Sequence, residues 1–286
     1  MPISGPVPEW LLSAVAAATL FTVMFDIGLA IVLAEFRVLV RQPLLLPRAI
    51  FAVVVAVPAI AWVVARALDL PRNAEIGVML MAIAPGAPVA LRRSLDAGGH
   101  RHFAPALQIS VAVLSVASMP LFIAALNEYY AGHATIDPRQ LARQVFVAQL
   151  LPLGLGMAAR HFASAGAIWL EPKLRRLGKL LLVLLIVLAL IDVWQTVVDA
   201  GFRVVLAIVA ITLLVLAAGH GLGGPDPATR TATAISSAIR NAGLALVVAT
   251  LNKAVPAITA TILAYVVISA FTVMPYLIWR RRRRVT

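Results

Sequence analysis

The sequence predicts an all-α polytopic membrane protein in which two of the spanning helices are broken. Three observations carry that prediction. Of 286 residues, 62% are hydrophobic and only 13% charged, an apolar excess over the roughly 45–50% of soluble domains. The apolar residues fall in runs of about 20, the length a helix needs to cross a bilayer, and they do not alternate as barrel strands would. Two runs are interrupted at their middles, one by Pro85-Gly86-Ala87-Pro88 and the other by Arg240-Asn241-Ala242-Gly243.

Nine spans follow, at about 10–34, 47–67, 74–96, 104–127, 140–162, 177–198, 203–220, 228–252 and 256–279. The first ends at Glu35 and Arg37, charges that hydrocarbon excludes. The second lies between Arg48 and Arg66. The third climbs to Pro88, whose missing N–H and bulky ring stop a continuous helix. Inside a bilayer such a break survives only where protein or water covers the freed backbone, and it marks substrate sites in secondary transporters. The fourth runs from Ala104 to Asn127, and the fifth carries Pro152 and Gly154, which would kink it. The sixth follows the basic cluster Lys173, Arg175, Arg176 and Lys179, and the seventh begins at Arg203. The eighth holds the second break. The ninth closes on Trp279, an interfacial anchor, and a basic tail at 280–286.

The charges test this count. Arg37, Arg41, Arg48, Arg92, Arg93, Arg101, the cluster from Arg160 to Lys179, Arg230 and the five arginines from Arg280 to Arg284 lie on one side. They far outnumber Arg66, Arg72, Arg139, Arg143, Arg203 and Lys253 on the other. The positive-inside rule puts the first set in the cytoplasm, with the N-terminus outside and the C-terminus inside. An even number of spans would break this alternation. Residues 1–9 carry no Lys or Arg, so no signal-peptide n-region is expected. The Ala- and Arg-rich composition suits a bacterial inner membrane.

Composition also excludes classes. There is no cysteine, hence no disulfide, thiolate or Cys–metal chemistry. The net charge of +12 is distributed as membrane loops, not as a nucleic-acid surface. No His-Glu-x-x-His, Gly-x-Ser-x-Gly or Walker-type loop occurs, so neither an enzyme nor an ATP-driven pump is expected, and no cofactor or metal. His100 and His102 read as a solvated turn. The arginines from Arg280 to Arg284 would meet anionic lipid. No Gly-x-x-x-Gly stripe decides between monomer and homodimer.

Several stretches resemble, in order, the bile acid:sodium symporter superfamily. Val23-Met24-Phe25-Asp26-Ile27-Gly28-Leu29 is similar to its Met-Phe-x-Met-Gly-Leu. Residues 36–43 are similar to its Asp-Phe…Arg-Pro, and Val57-Pro58 to its Met-Pro. Residues 77–87 resemble its Gly-x-x-Leu-…-Pro-Gly-Gly, Leu151-Pro152-Leu153-Gly154 its Leu-Pro-Leu-x-Gly, and Arg240-Asn241-Ala242-Gly243-Leu244-Ala245 its Gln-Asn-x-x-Leu-Ala. The resemblance implies two inverted repeats and two broken helices that cross at mid-membrane. It implies a panel domain of residues 10–46 and 140–198, and a core domain of residues 47–127 and 203–279.

At the sodium-ligand positions the sequence departs from that family. By the same resemblance, Ser-Asn becomes Ala90-Leu91, a Glu becomes Ser236, and the Gln before Asn241 becomes Arg240. A Gln ahead of the Met-Pro proline becomes Val53, and a hydroxyl pair becomes Ala117 and Leu121. Sodium would find few oxygen ligands there. Positive charge replaces it: Arg240 at mid-span, where an arginine costs about 2.5–3.5 kcal/mol, and Arg92 and Arg93 one turn past the first break. The second half of each broken helix aims its N-terminus at mid-membrane, which favours an anion. The expected function is alternating-access transport of a small organic anion, without sodium. The expected substrate contacts are Arg240, Asn241, Ser236, Ser237, Arg92, Arg93 and Pro88. Asp26 and Asp96 are the candidates for ion coupling or for pairing with an arginine. Two alternatives stand beside this: a sodium-coupled symporter, and a receptor that kept the fold without transport.

Overall fold

A computed structural model describes residues 7–30, 44–129, 136–199, 201–252 and 254–285. All regular structure among them is helical. In chain order the helices are α1 (Glu9–Ala30), α2 (Leu45–Ala67), α3 (Arg72–Ala82), α4 (Pro88–Asp96), α5 (Phe103–Tyr129) and α6 (Pro138–Phe162). They continue as α7 (Ser164–Asp199), α8 (Gly201–Leu222), α9 (Pro227–Ala238), α10 (Ala242–Leu251) and α11 (Pro256–Val285). Seven stretches are long and apolar enough to cross a membrane: α1, α2, α5, α6, α8, the α9–α10 pair and α11. The chain is therefore an integral membrane protein. Residues 36–43, which carry one of the resemblances above, lie outside the described residues.

Both sequence breaks are real. The α3 helix ends at Ala82, the chain runs without helix through Ala87, and Pro88 opens α4 at a position where its missing N–H costs nothing. Gly86 sits at φ +79°, a conformation that suits glycine far better than residues with a Cβ. Downstream, α9 ends at Ala238 and α10 starts at Ala242, with the Asn241 side chain accepting a hydrogen bond from the Leu244 N–H at 3.1 Å, an N-cap.

Two prolines leave a different mark. Residues 51–56 of α2 and 146–150 of α6 widen into π turns, each just ahead of a proline, Pro58 and Pro152. In a π turn the carbonyl of residue i meets the N–H of residue i+5. For Val53 that residue is Pro58, which has no N–H. The Val53 carbonyl is thus left for another donor.

The helices pack in two sets. The first is α1, α6 and α7, which lie against one another. The α1–α6 contact is backbone to backbone: a Cβ on Gly28 would stand 2.8 Å from the Gly156 Cα. In the second set α8 lies against α2, α9 and α11, α3 against α2 and α11, and α4 against α5 and α9. The sets meet where α1 touches α4 and α10, where α6 touches α5 and α10, and where α7 touches α11.

Candidate functional site

The two breaks touch each other. The Asn241 N–H donates to the Ala84 carbonyl at 2.9 Å, so the non-helical segments are joined main chain to main chain. Arg240, only 5% exposed, extends from this junction into the protein. Its Nη1 donates to the Val53 carbonyl at 3.1 Å and its Nε reaches the Met81 carbonyl at 3.4 Å. Its Nη2 donates to the Ala82 carbonyl. Met81 and Ala82 close α3, where helix carbonyls have no intrahelical donor. Val53 is the carbonyl that Pro58 leaves open. The guanidinium therefore fills a ring of oxygens contributed by two helices, and no carboxylate pairs with it among the described residues.

Beside the junction lies a cavity of about 240 Å³. The first turns of α4 (Pro88, Val89) and α10 (Ala242, Gly243) line it, α1 contributes Thr19 and Leu20, and α7 and α11 supply mainly apolar side chains. Arg93, Arg240 and Asn241 also border it, and no carboxylate does among the described residues. Two helix N-termini and an arginine beside an apolar chamber make a place for an amphipathic anion.

The structure distributes the expected contacts unevenly. Arg240, Asn241, Arg93 and Pro88 border the cavity. Arg92 does not; it contacts Asp26 of α1 in an adjoining pocket. Ser236 and Ser237 are buried in α9 and line neither space, and Ser237 Oγ donates to the Thr233 carbonyl at 2.9 Å, as hydroxyls within helices often do. Asp96 is exposed and faces Arg281 at 4.0 Å, and no ion pair joins it to Arg240 among the described residues. Arg280 departs from the lipid-facing reading. It is 9% exposed, its Nε donates to Thr231 Oγ1 at 2.6 Å and its Nη2 to the Pro227 carbonyl at 2.8 Å. The side chain ties α11 to the start of α9, while Arg281, Arg282 and Arg283 remain exposed.

The matching of Ala117 and Leu121 to a hydroxyl pair also fails. Both are exposed, Leu121 to 71%. The face of α5 that reaches the breaks carries Gln108 and Ser115 instead, which sequence reasoning missed. Gln108 Nε2 donates to the Gly86 carbonyl at 2.7 Å. Gln149, in the π turn of α6, is wholly buried: its Oε1 accepts from Asn241 Nδ2 at 3.1 Å, and its Nε2 donates to Ser115 Oγ at 3.0 Å. Gln149 so joins the two helix sets. The available signal was an uncharged amide inside an apolar span, since such groups usually bond across helices.

The family model described as Sodium Bile acid symporter family matches residues 17–200. The chain belongs to that family. The match covers most of α1 and everything through the end of α7, including the first break. A Bacillus subtilis (strain 168) protein described as uncharacterized sodium-dependent transporter YocS is 26% identical over 141 residues, 49% of this chain and 43% of that protein. The chain thus spans less than half the length of that curated relative. This member of the Sodium Bile acid symporter family keeps two broken helices in contact and seats an arginine in the carbonyl ring beside their junction.

Proposed function

We propose that the chain is a secondary-active or facilitative transporter of a small organic anion, a carboxylate of bile-acid or smaller size, working by alternating access without sodium. The observation that carries this reading is the cavity: two helix N-termini and Arg93 face it, its remaining lining is largely apolar, and no carboxylate among the described residues opposes an anion. In this reading the α3–α4 pair and α7 cross the bilayer with the seven spans above, giving nine crossings. The set α1, α6 and α7 acts as the panel and the remaining helices as the core. Arg240 takes the place of a bound cation: its charge is built in, and it sits on main-chain oxygens that a metal ion would otherwise seek. The basic end of the molecule, bearing Arg93, Arg175, Lys179 and Arg281, faces the cytoplasm of a bacterial inner membrane.

Sodium coupling is the second reading, and the relative described as sodium-dependent favours it. The two separate in one experiment. Thermal stability of the purified protein is measured with a panel of small carboxylates and bile acids, in sodium chloride and in choline chloride. Stabilisation of equal size in both salts, lost in Arg93→Ala, is expected. Stabilisation that requires sodium would overturn sodium independence. Stabilisation by uncharged amphiphiles, with every carboxylate inactive, would overturn the anion.

A further inference from the structure

A second space of about 30 Å³ adjoins the main cavity and shares Val23, Pro88, Val89 and Leu182 with it. Its charged lining is Asp26 of α1, Arg92 of α4, and Arg175 and Lys179 of α7. Arg92 contacts Asp26, and Arg175 contacts Glu171 one turn back on α7. No ion pair takes up Lys179 among the described residues. The pocket therefore carries one cation more than the carboxylates that pair there. It lies between the two helix sets that the transport reading requires to slide.

Resting on that reading, we infer that this pocket receives the head group of the transported anion, and that Asp26 is a resident carboxylate that must be protonated before Arg92 can accept the anion. The cycle is then a proton–anion symport. Asp26 is 1% exposed, and its Oδ1 accepts no hydrogen bond among the described residues. A buried carboxylate stripped of its cation while still charged is strongly penalised. Arg92 is 28% exposed at its side chain and lines the pocket. It can turn from Asp26 to an incoming carboxylate only if Asp26 takes up a proton from water on the loading side. An O–H bond forms on Asp26, and a guanidinium–carboxylate contact moves from Asp26 to the substrate. On the far side the anion leaves, Arg92 returns to Asp26, and the proton is released. One proton accompanies one monoanion, with no net charge moved.

The groups able to modulate this step are few. Against α1, α4 brings Arg92, Arg93 and Asp96, α7 brings Glu171, Arg175 and Lys179, and the last turn of α6 brings Arg160 and His161. The α10 helix brings no titratable side chain.

Because the chain has no cysteine, one introduced thiol reads the pocket directly. Val89→Cys lines both spaces. In the purified full chain, its reaction rates with a sulfonate-bearing and a trimethylammonium-bearing methanethiosulfonate are compared. Their ratio cancels the thiol's own titration and reports the local field. The sulfonate-to-ammonium ratio is expected to rise on the order of tenfold as the pH is lowered from about 8 to below the ordinary aspartate value of about 3.9. In the Asp26→Asn background it should start high and stay flat with pH. Asp96→Asn, on the same helix as Arg92 but exposed, should leave the pH response in place. A flat ratio with Asp26 intact, or a pH response that persists in Asp26→Asn, overturns the inference and leaves the transport reading standing. Absence of reaction with both reagents would show that the cavity is closed to water and would overturn both.

Discussion

Replacing Arg240 by alanine tests the built-in cation. The substitution removes a guanidinium held by the carbonyls of Val53, Met81 and Ala82. It also relieves the cost of burying a charge, which offsets part of the loss. What remains are the Val53 and Ala82 oxygens with no donor, while Met81 keeps the Ala84 N–H at 3.2 Å. Val53 cannot draw on Pro58, and the α3 terminus has no further turn to supply N–H groups. An unsatisfied buried carbonyl costs about 1–3 kcal/mol, so with the charge relief a net loss of about 3 kcal/mol is expected. That corresponds to about 5–10 °C in thermal midpoint, by analogy with soluble chains of this size. The vacated ring should then recruit a hard cation. Raising sodium to about ten times its dissociation constant would restore about 1.4 kcal/mol. The assay is thermal unfolding of Arg240→Ala and the unsubstituted protein in sodium chloride against choline chloride. Sodium should stabilise only the variant. Equal stability of the two proteins in choline would show that the ring does not need Arg240. Equal sodium stabilisation of both would show a sodium site elsewhere.

Three other predictions come from the packing. Gln149→Leu leaves Asn241 Nδ2 and Ser115 without their shared partner and should lower stability by about 1–3 kcal/mol; combined with Asn241→Ala the loss should be less than additive, since one network is cut twice, as thermal melts of the single and double variants would show. Gly156→Ala should be markedly destabilising, because its Cβ would meet the Phe25 carbonyl and stand 2.9 Å from Gly28 Cα, whereas Gly154→Ala, with nothing within 4 Å, should be neutral or stabilising by up to about 1 kcal/mol. Arg280→Ala should lose about 1–3 kcal/mol of stability with its two internal bonds, while Arg282→Ala should leave the melt within about 0.5 kcal/mol and weaken association with anionic vesicles.

Much of the helical layout was legible in the sequence because its signal is local. Apolar run length gave α1, α2, α5, α8 and α11, and Pro88 and Gly86 gave the first break to within a few residues. The site was legible only in part. Sequence spacing located Arg240 at the second break but not its target, because a main-chain carbonyl carries no side-chain signature. The Val53 oxygen is open owing to a proline five residues on and a π turn that no periodicity announces. Asp26 and Arg92 lie on separate helices in separate sets, so their contact depends on how α1 crosses α4. Ser236 enters the expected site through the family glutamate whose position it takes, with Ser237 beside it. A helix turns about 100° per residue, and that rotation carries them away from the cavity. Ala117 and Leu121 failed for the same reason: the register chosen for α5 put the wrong face inward.

The bond between the Asn241 N–H and the Ala84 carbonyl has a consequence for divergence. It uses only main-chain atoms, so every residue type except proline at position 241 can supply it. Side chains around the junction can then be exchanged while this one tie across the crossing stays in place. A scaffold stitched in this way can accept the replacement of some ligand-bearing residues by alanine, leucine or arginine, because one tie across its crossing does not depend on them. The position of the crossing and the chemistry displayed there can change independently, and one architecture can be handed from one ion or solute to another.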